Sequence, residues 1–544
     1  MIDLDEIHWS FDDSVTDDKI TSLLAPRFQL IAHVEPEKTY TLLDDHDWAI
    51  WHSGAALLRD QEGGCRLHIG DEEPELDCCE PGAKARFYWD FPQGQLRDAL
   101  KERVKLRALT EKAQRMVVHK RYQVLNRDDK TVVRISVLEH RLAPQKEDGQ
   151  MSCSLMPSSL ITVTPLRGYQ KEFKAVVQKL QRWFDTLDVK PETQKPSLRR
   201  VFTQPSIQVK PLPPMRYGIA AGEASEVAIR KMGAVMFTRA NAQVEGVIGD
   251  IDTEFLHDYR VYIRTVRSLI NLTKQAITAD AHLFLKTELA QLAGATSQLR
   301  DLDVFLLTEQ DYRDLLPSNY DRGLSELFKI MGLERKRAWR KVVQTMSSEA
   351  FEQKTKAVSD ELERDADLAS KAAKKSALTL ASGCILKRYQ RICRLGGLIV
   401  EDTPDDDVHE VRIDCKKLRY LMQIFAELFE QKPLAGLIKQ LKGLQNILGL
   451  FNDYSVQKEF LQNYTEGTNR SVELVAAVNA LIGVLHQKQL MARRQVESVL
   501  AVFATDDISA EFEVLFTVSS KADTGVALTA SKKEKQQQKQ KEEG

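Results

Sequence analysis

A charged helical pattern that recurs at a fixed distance constrains this chain more than any other feature. FLHDYRVYIRTVRS places His257, Arg260, Arg264 and Arg267 at relative positions 0, 3, 7 and 10. DVHEVRIDCKKLRY places His409, Arg412, Lys416 and Arg419 at the same positions, 152 residues later. The same shift carries Arg239 onto Arg391, Asp301 onto Asp453 and Val304 onto Val456. From about 216 to 503 proline is scarce, and apolar residues recur three and four apart among Ala, Leu, Lys, Arg, Glu and Gln. That is a helical period. The region is therefore expected to be all-helical, in two copies of about 216–365 and 366–515.

At about 100° per residue the four positions fall within an arc of roughly 80°, along about 15 Å of helix. Each follows an apolar or aromatic residue: Leu256, Tyr259, Ile263 and Val266 in one copy, Val408, Val411, Cys415 and Leu418 in the other. The basic strip thus borders the stripe that faces the core, which suits the lining of a groove. Asp258, Glu410 and Asp414 lie on another flank, so neutralisation within the helix is incomplete and the strip calls for an external anion. Asp301 and Asp453 read as scaffold carboxylates that cap a helix or hold an arginine. His257 and His409 stand alone without metal spacing, so they read as hydrogen-bonding or phosphate-contacting groups.

The 544 residues call for more than one domain. With 77 basic and 79 acidic side chains the net charge is −2, which excludes a globally basic coat but not a local basic patch. At 43% hydrophobic and 29% charged the chain reads as soluble and globular. No run of 18 apolar residues is visible and the start is acidic, so neither membrane spanning nor export is expected. Seven cysteines without a CxxC pair suggest neither a disulfide framework nor a thiolate zinc site, and a reducing cytoplasm fits.

Before residue 190 the pattern changes. Val132 to Val137 and Leu160 to Val163 are strand-like runs between turn residues, and Lys171 to Phe184 closes the segment as an amphipathic helix. Residues 1–189 are read as a β-rich domain, and 190–215, with six prolines between Pro191 and Pro214, as an extended linker. Residues 516–544 are read as a disordered charged tail. No P-loop, GxSxG, HExxH or strand-borne GxGxxG motif occurs, and Gly63-Gly64 and Gly396-Gly397 read as turn punctuation.

The paired signatures HxxRVxxRxxRS and HExRxxxKKLRY, with the RDLDV and NDYSV segments, resemble the CHAD family, named for conserved histidines in an α-helical domain. The resemblance covers about 220–515. It implies two four-helix repeats around a basic cavity that binds inorganic polyphosphate, free or as granules, without enzymatic turnover, cofactor or metal. By position it assigns anion contacts to the eight strip residues and to Arg239 and Arg391, and less firmly placed ones to Arg337, Arg340, Lys488 and Arg493. Membrane is not an expected partner, and nucleic acid is disfavoured.

Residues 1–189 are similar, more weakly, to the CYTH superfamily of triphosphate tunnel metalloenzymes, through LDDHDWAIWHSGAALLRD, RFYWDFP around Asp90 and SSLITVTPLRGYQKEF. That implies an antiparallel barrel for triphosphate and a divalent metal. VEPEK carries Glu35 and Glu37, but Lys38 comes one position early with Pro36 inside, which is expected to turn Lys38 to the opposite face. Thr162 and Thr164 stand where the family has glutamates, leaving scattered acids such as Asp90 and Glu139. Hard divalent cations need converging carboxylates, so no catalytic residue is assigned. The expected fold class is α+β: a degenerate β-barrel-like domain followed by a duplicated four-helix-bundle domain. The alternatives are a metal-dependent triphosphatase in the first domain, or a scaffold whose groove takes acidic protein or nucleic acid.

Overall fold

The computed structural model describes residues 6–69, 76–78, 85–142, 145–147, 150–152, 158–192, 216–400, 402–466 and 470–517. The expected linker and tail lie almost wholly outside the described residues, as do Cys79 and Cys153. The chain divides into two compact units, Met1–Pro214 and Met215–Gly544.

The first unit is an antiparallel curled sheet, a half-barrel. Its strands are β1 (Ile7–Phe11), β2 (Gln29–Val34), β3 (Lys38–Asp44), β4 (Ala55–Arg59), β5 (Cys65–Ile69), β6 (Leu76–Cys78), β7 (Thr110–Leu125) and β8 (Thr131–Leu142). A separate ribbon, β9 (Gln145–Glu147) with β10 (Gln150–Ser152), precedes β11 (Ser158–Pro165). The spatial order is β1-β11-β8-β7-β3-β4-β5-β6, with β2 also beside β7. Helices α1 (Asp17–Leu24), α2 (Ala49–His52), α3 (Gln95–Val104) and α4 (Gln170–Asp185) complete the unit. Alternation sorts the sheet's faces. Val133, Ile135, Val137, Ile161 and Val163 are buried with Phe173, Val176 and Phe184 of α4, where Trp9 stacks on Phe184 at 5.1 Å. His8, Thr162 and Ser136 stand in one row on the other face, which His140, paired with Ser158, shares. The curled sheet is compatible with the CYTH resemblance.

One expectation fails here. β2 pairs with β7 from Gln29↔Leu125 to Val34↔Lys120, and β3 resumes along the same edge at Lys38↔Val117. Pro36 and Glu37 form a bulge in one interrupted strand, and the extra residue absorbs the slip. Lys38 therefore shares the face of Glu35 rather than the opposite one, and its charge reaches His119, which Glu35 contacts at 3.4 Å.

The second unit is helical and built twice. The first copy holds α5 (Ser225–Asn241), α6 (Val244–Ile248), α7 (Thr253–Leu272), α8 (Ala279–Gly294), α9 (Ser297–Leu307), α10 (Glu309–Asp314), α11 (Asp321–Met346) and α12 (Glu349–Glu363). The second holds α13 (Ala377–Gly396), α14 (Asp405–Ile424), α15 (Gln431–Gln462), α16 (Val472–Phe503) and α17 (Asp506–Phe516). The starts Ser225 and Ala377, Thr253 and Asp405, and Ala279 and Gln431 are each 152 residues apart. Two backbone bonds join the copies reciprocally: Ser225 N donates to Lys375 O and Ala377 N to Glu223 O, both at 2.8 Å. Each bond is the image of the other under the same shift, so a pseudo-two-fold axis passes beside the Ala224–Ser376 bridge. One continuous core runs from Tyr217 through both copies to Phe516. By length and composition α16 could cross a membrane, but Leu474, Leu481, Leu485 and Leu500 on its inner side belong to this core.

Candidate functional site

α7 starts at Asp252, whose carboxylate accepts from Glu254 N and Phe255 N at 2.9 and 3.2 Å, satisfying donors that a helix start leaves open. Leu256, Tyr259, Ile263 and Val266 of α7, and Val408, Val411, Cys415 and Leu418 of α14, are all buried. The basic residue after each one is thereby held at the edge of the core. α7 and α14 pack against each other, and this brings the two strips together. Arg264 and Lys416, images of one another, meet near the axis: burial first, then the charges of Arg412, Arg264 and Arg419, against the pull of Asp453, push the Lys416 amine down to about 8.

The strips are anchored differently. Arg260 donates from one guanidinium nitrogen to Ala293 O, Thr296 Oγ1 and Ser297 Oγ, at the break between α8 and α9. In the second copy the helix runs unbroken, and Arg412 pairs instead with Asp453 at 3.1 Å. Burial lowers both arginines, and it raises Asp301 against the opposing charges of Arg260 and Arg300. His257 Nδ1 accepts from Arg300 at 2.8 Å. A guanidinium only donates, so the imidazole proton sits on Nε2. His409 donates from Nδ1 to Asn452 Oδ1 at 2.6 Å, and Asn452 is the counterpart of Arg300. Arg300 adds a cation that the sequence reading left out, because the second copy has Asn452 in its place and repetition gave no signal.

Charge is left over. Among the described residues, Arg264, Arg267, Lys416 and Arg419 form no ion pair, and the Nε of Arg412 and of Arg419 are buried without a hydrogen-bond partner. Unserved buried donors on cationic groups are costly unless an acceptor arrives. The site is suited to an anion with many oxygens.

The other residues assigned by position have surroundings of their own. Arg391 donates to Asp414 at 2.6 Å and to Glu410, on the opposite flank of α14 from the strip, and those hydrogen bonds hold its guanidinium above the ordinary value. Arg239, its counterpart on α5, acts on the hydroxyl of Tyr217. Arg337 and Arg340 are exposed on α11, and Lys488 is half-buried on α16. Arg493 is buried and donates to Val400 O and Thr403 O, both at 2.8 Å, tying down the loop before α14.

In the first unit the acids singled out do not converge. Glu35 is engaged by Arg121 at 2.9 Å and by His119. Asp90 accepts from Arg86 N and Phe87 N at 2.9 Å. Glu139 lies on the sheet face away from Glu35, 3.6 Å from Lys120. Thr162 hydrogen-bonds His8 at 3.0 Å, and Thr164 donates to Glu6 at 3.0 Å. Among the described residues no group of three His, Cys, Asp or Glu could hold a metal ion. These residues do not fit the divalent metal that the CYTH resemblance implies.

Fold and site together define a duplicated helical domain with an anion-seeking centre. The family model of the CHAD domain matches residues 234–462, and the second unit carries a CHAD domain over that span. Among solved structures, the CHAD domain from the plant Ricinus communis is similar, at 20% identity and a TM-score of 0.44, covering 53% of this chain and 96% of that one. PptA from Streptomyces chartreusis is similar at 14% identity and a TM-score of 0.42, covering 51% of this chain and 100% of that one. No curated protein matches the chain.

Proposed function

We propose that the helical unit binds inorganic polyphosphate across its pseudo-two-fold axis, as a non-enzymatic binding domain. The observation that carries this reading is the convergence of Arg264 and Lys416, each the image of the other, with no carboxylate paired to either among the described residues. Polyphosphate carries about one charge per phosphate and presents oxygens along its whole length, which suits arginine forks and a lysine ammonium. Its chain also reads alike in both directions. A two-fold site therefore meets equivalent chemistry on either side, whereas a nucleic-acid strand has polarity and offers bases for aromatic stacking. The aromatic neighbour Tyr262 packs against the core.

The test is the double charge reversal Arg264→Glu with Lys416→Glu. Binding of long-chain polyphosphate falls more than about 100-fold, in line with several lost charge-assisted contacts, while far-ultraviolet circular dichroism keeps its helical signal. Undiminished binding overturns the proposal. RNA that displaces polyphosphate at equal phosphate concentration would make the site a general phosphate-backbone groove.

A further inference from the structure

On the flank of α14 opposite the strip lies a cleft of 1150 Å³, where the end of α7 meets α13 and α14. Its floor is an ion-pair set: Asp414 accepts from Arg388 at 2.5 Å and Arg391 at 2.6 Å, and Lys417 stands 3.6 Å away. Lys274, Lys387 and Arg394 line the cleft, are exposed, and form no ion pair among the described residues. Leu272, Ile413 and Leu421 give it an apolar wall.

The duplication shows what such a place holds. Shifting the lining residues Arg391, Asp414 and Gln275 by 152 gives Arg239, Tyr262 and Glu427. These three surround Tyr217. Tyr217 N donates to Glu427 at 2.5 Å and Gly218 N at 3.0 Å, and the charges of Glu427 and Arg239 act on the phenol, which burial pushes up to about 12. Tyr217 is only 8% exposed, so its ring plugs the first copy. Its counterpart 152 residues on is the exposed Ala369. The segment around Ala369 is pinned at the matching place, since Ser370 Oγ donates to Gln275 O at 2.9 Å. The ring is therefore missing from the second copy while the cleft remains. Charge has changed with it: Val235, Met236, Ala242 and Thr265 have Lys387, Arg388, Arg394 and Lys417 as counterparts. Asp414 serves Arg388 and Lys417, whereas Lys387 and Arg394, together with Lys274, have no carboxylate paired to them among the described residues and repel one another across the opening.

We propose that this cleft binds an aromatic phosphate ester of the nucleotide class, its ring taking the place that Tyr217 takes in the first copy and its phosphates meeting Lys274, Lys387 and Arg394. The site is separate from the polyphosphate strip and does not depend on that reading. Calorimetric titration of the full chain with ATP, and separately with tripolyphosphate, tests it. ATP binds, and binding is lost in Ala369→Tyr, which restores the plug without changing charge, and falls at least tenfold in Lys387→Glu with Arg394→Glu. All variants keep the melting temperature of the parent, and affinity for long-chain polyphosphate changes less than about twofold in Ala369→Tyr. No ATP binding at millimolar concentration, ATP binding untouched by both variants, or tripolyphosphate binding the cleft as tightly as ATP overturns the proposal. Loss of ATP binding in the Arg264→Glu with Lys416→Glu protein alone would place the nucleotide on the strip and overturn it as well.

Discussion

Single side chains set the pH behaviour of the central site. Lys416 has its amine pushed from 10.5 to about 8 by burial and by the arginines around it, so its charge in the free protein is lost as pH rises through that value. A bound polyanion favours the ammonium. Polyphosphate affinity is therefore full below about pH 8 and falls several-fold by pH 9.5, with proton uptake on binding. Lys416→Arg places at 416 the residue that Arg264 already is in the other copy, and a guanidinium stays charged throughout. Its binding curve between pH 7 and 9.5 is flat, and anisotropy titrations across that range distinguish the two proteins. The linkage to stability runs in the opposite sense. With the folded amine depressed, the unfolded chain holds more protons between about pH 8 and 10.5, so the cost of the charged amine is present below that window and relieved as pH rises through it. The strips were legible at this scale because their residues repeat. Arg300 was not, since Asn452 replaces it. Nor was the fate of Arg391, which depends on Asp414 facing α13 across a helix interface.

At the scale of elements the helical period and the repeat carried most of the information. Three pairs of helix starts keep the 152-residue spacing, and the departure at Ala295–Thr296 coincides with Arg260 bonding into the break. In the sheet, a bulge at Pro36–Glu37 restores the register of Lys38. A bulge depends on pairing with a distant strand, β7, so strict alternation along the sequence could not place it. Close helix approach is equally non-local. A Cβ on Gly323 of α11 would lie 2.1 Å from Glu473 O and 2.8 Å from the Ala477 Cβ, whereas one on Gly332 of the same helix would meet nothing within 4 Å. Gly323→Ala therefore destabilises the protein by about 1–3 kcal/mol or more through overpacking. Gly332→Ala is neutral or stabilising by about 0.5–1 kcal/mol through helix propensity. Chemical denaturation of the two variants side by side checks the contrast, and equal midpoints would refute the close packing of α11 on α16.

For the whole molecule, a net charge of −2 conceals a strongly cationic centre. Composition excluded a basic coat but could not show that Arg260, Arg264 and Arg267 gather with Arg412, Lys416 and Arg419, because that follows from packing α7 on α14. The six cations set the salt response. Each phosphate neutralised releases condensed counterions, with a logarithmic slope of about −0.7 per contact on a single-stranded polyanion, so six contacts give about −4. Polyphosphate affinity then drops by two to three orders of magnitude between about 50 and 200 mM salt. Neutralising the central pair, as Arg264→Gln with Lys416→Gln, removes two contacts and flattens the slope by about 1.4 as well as weakening binding at any single salt. The slope is the stricter criterion, since a variant that binds weakly because it is partly unfolded keeps the slope of its folded fraction. A binding isotherm series on the two proteins decides it: equal slopes would mean that Arg264 and Lys416 do not touch the polyanion, whatever happens to the affinity.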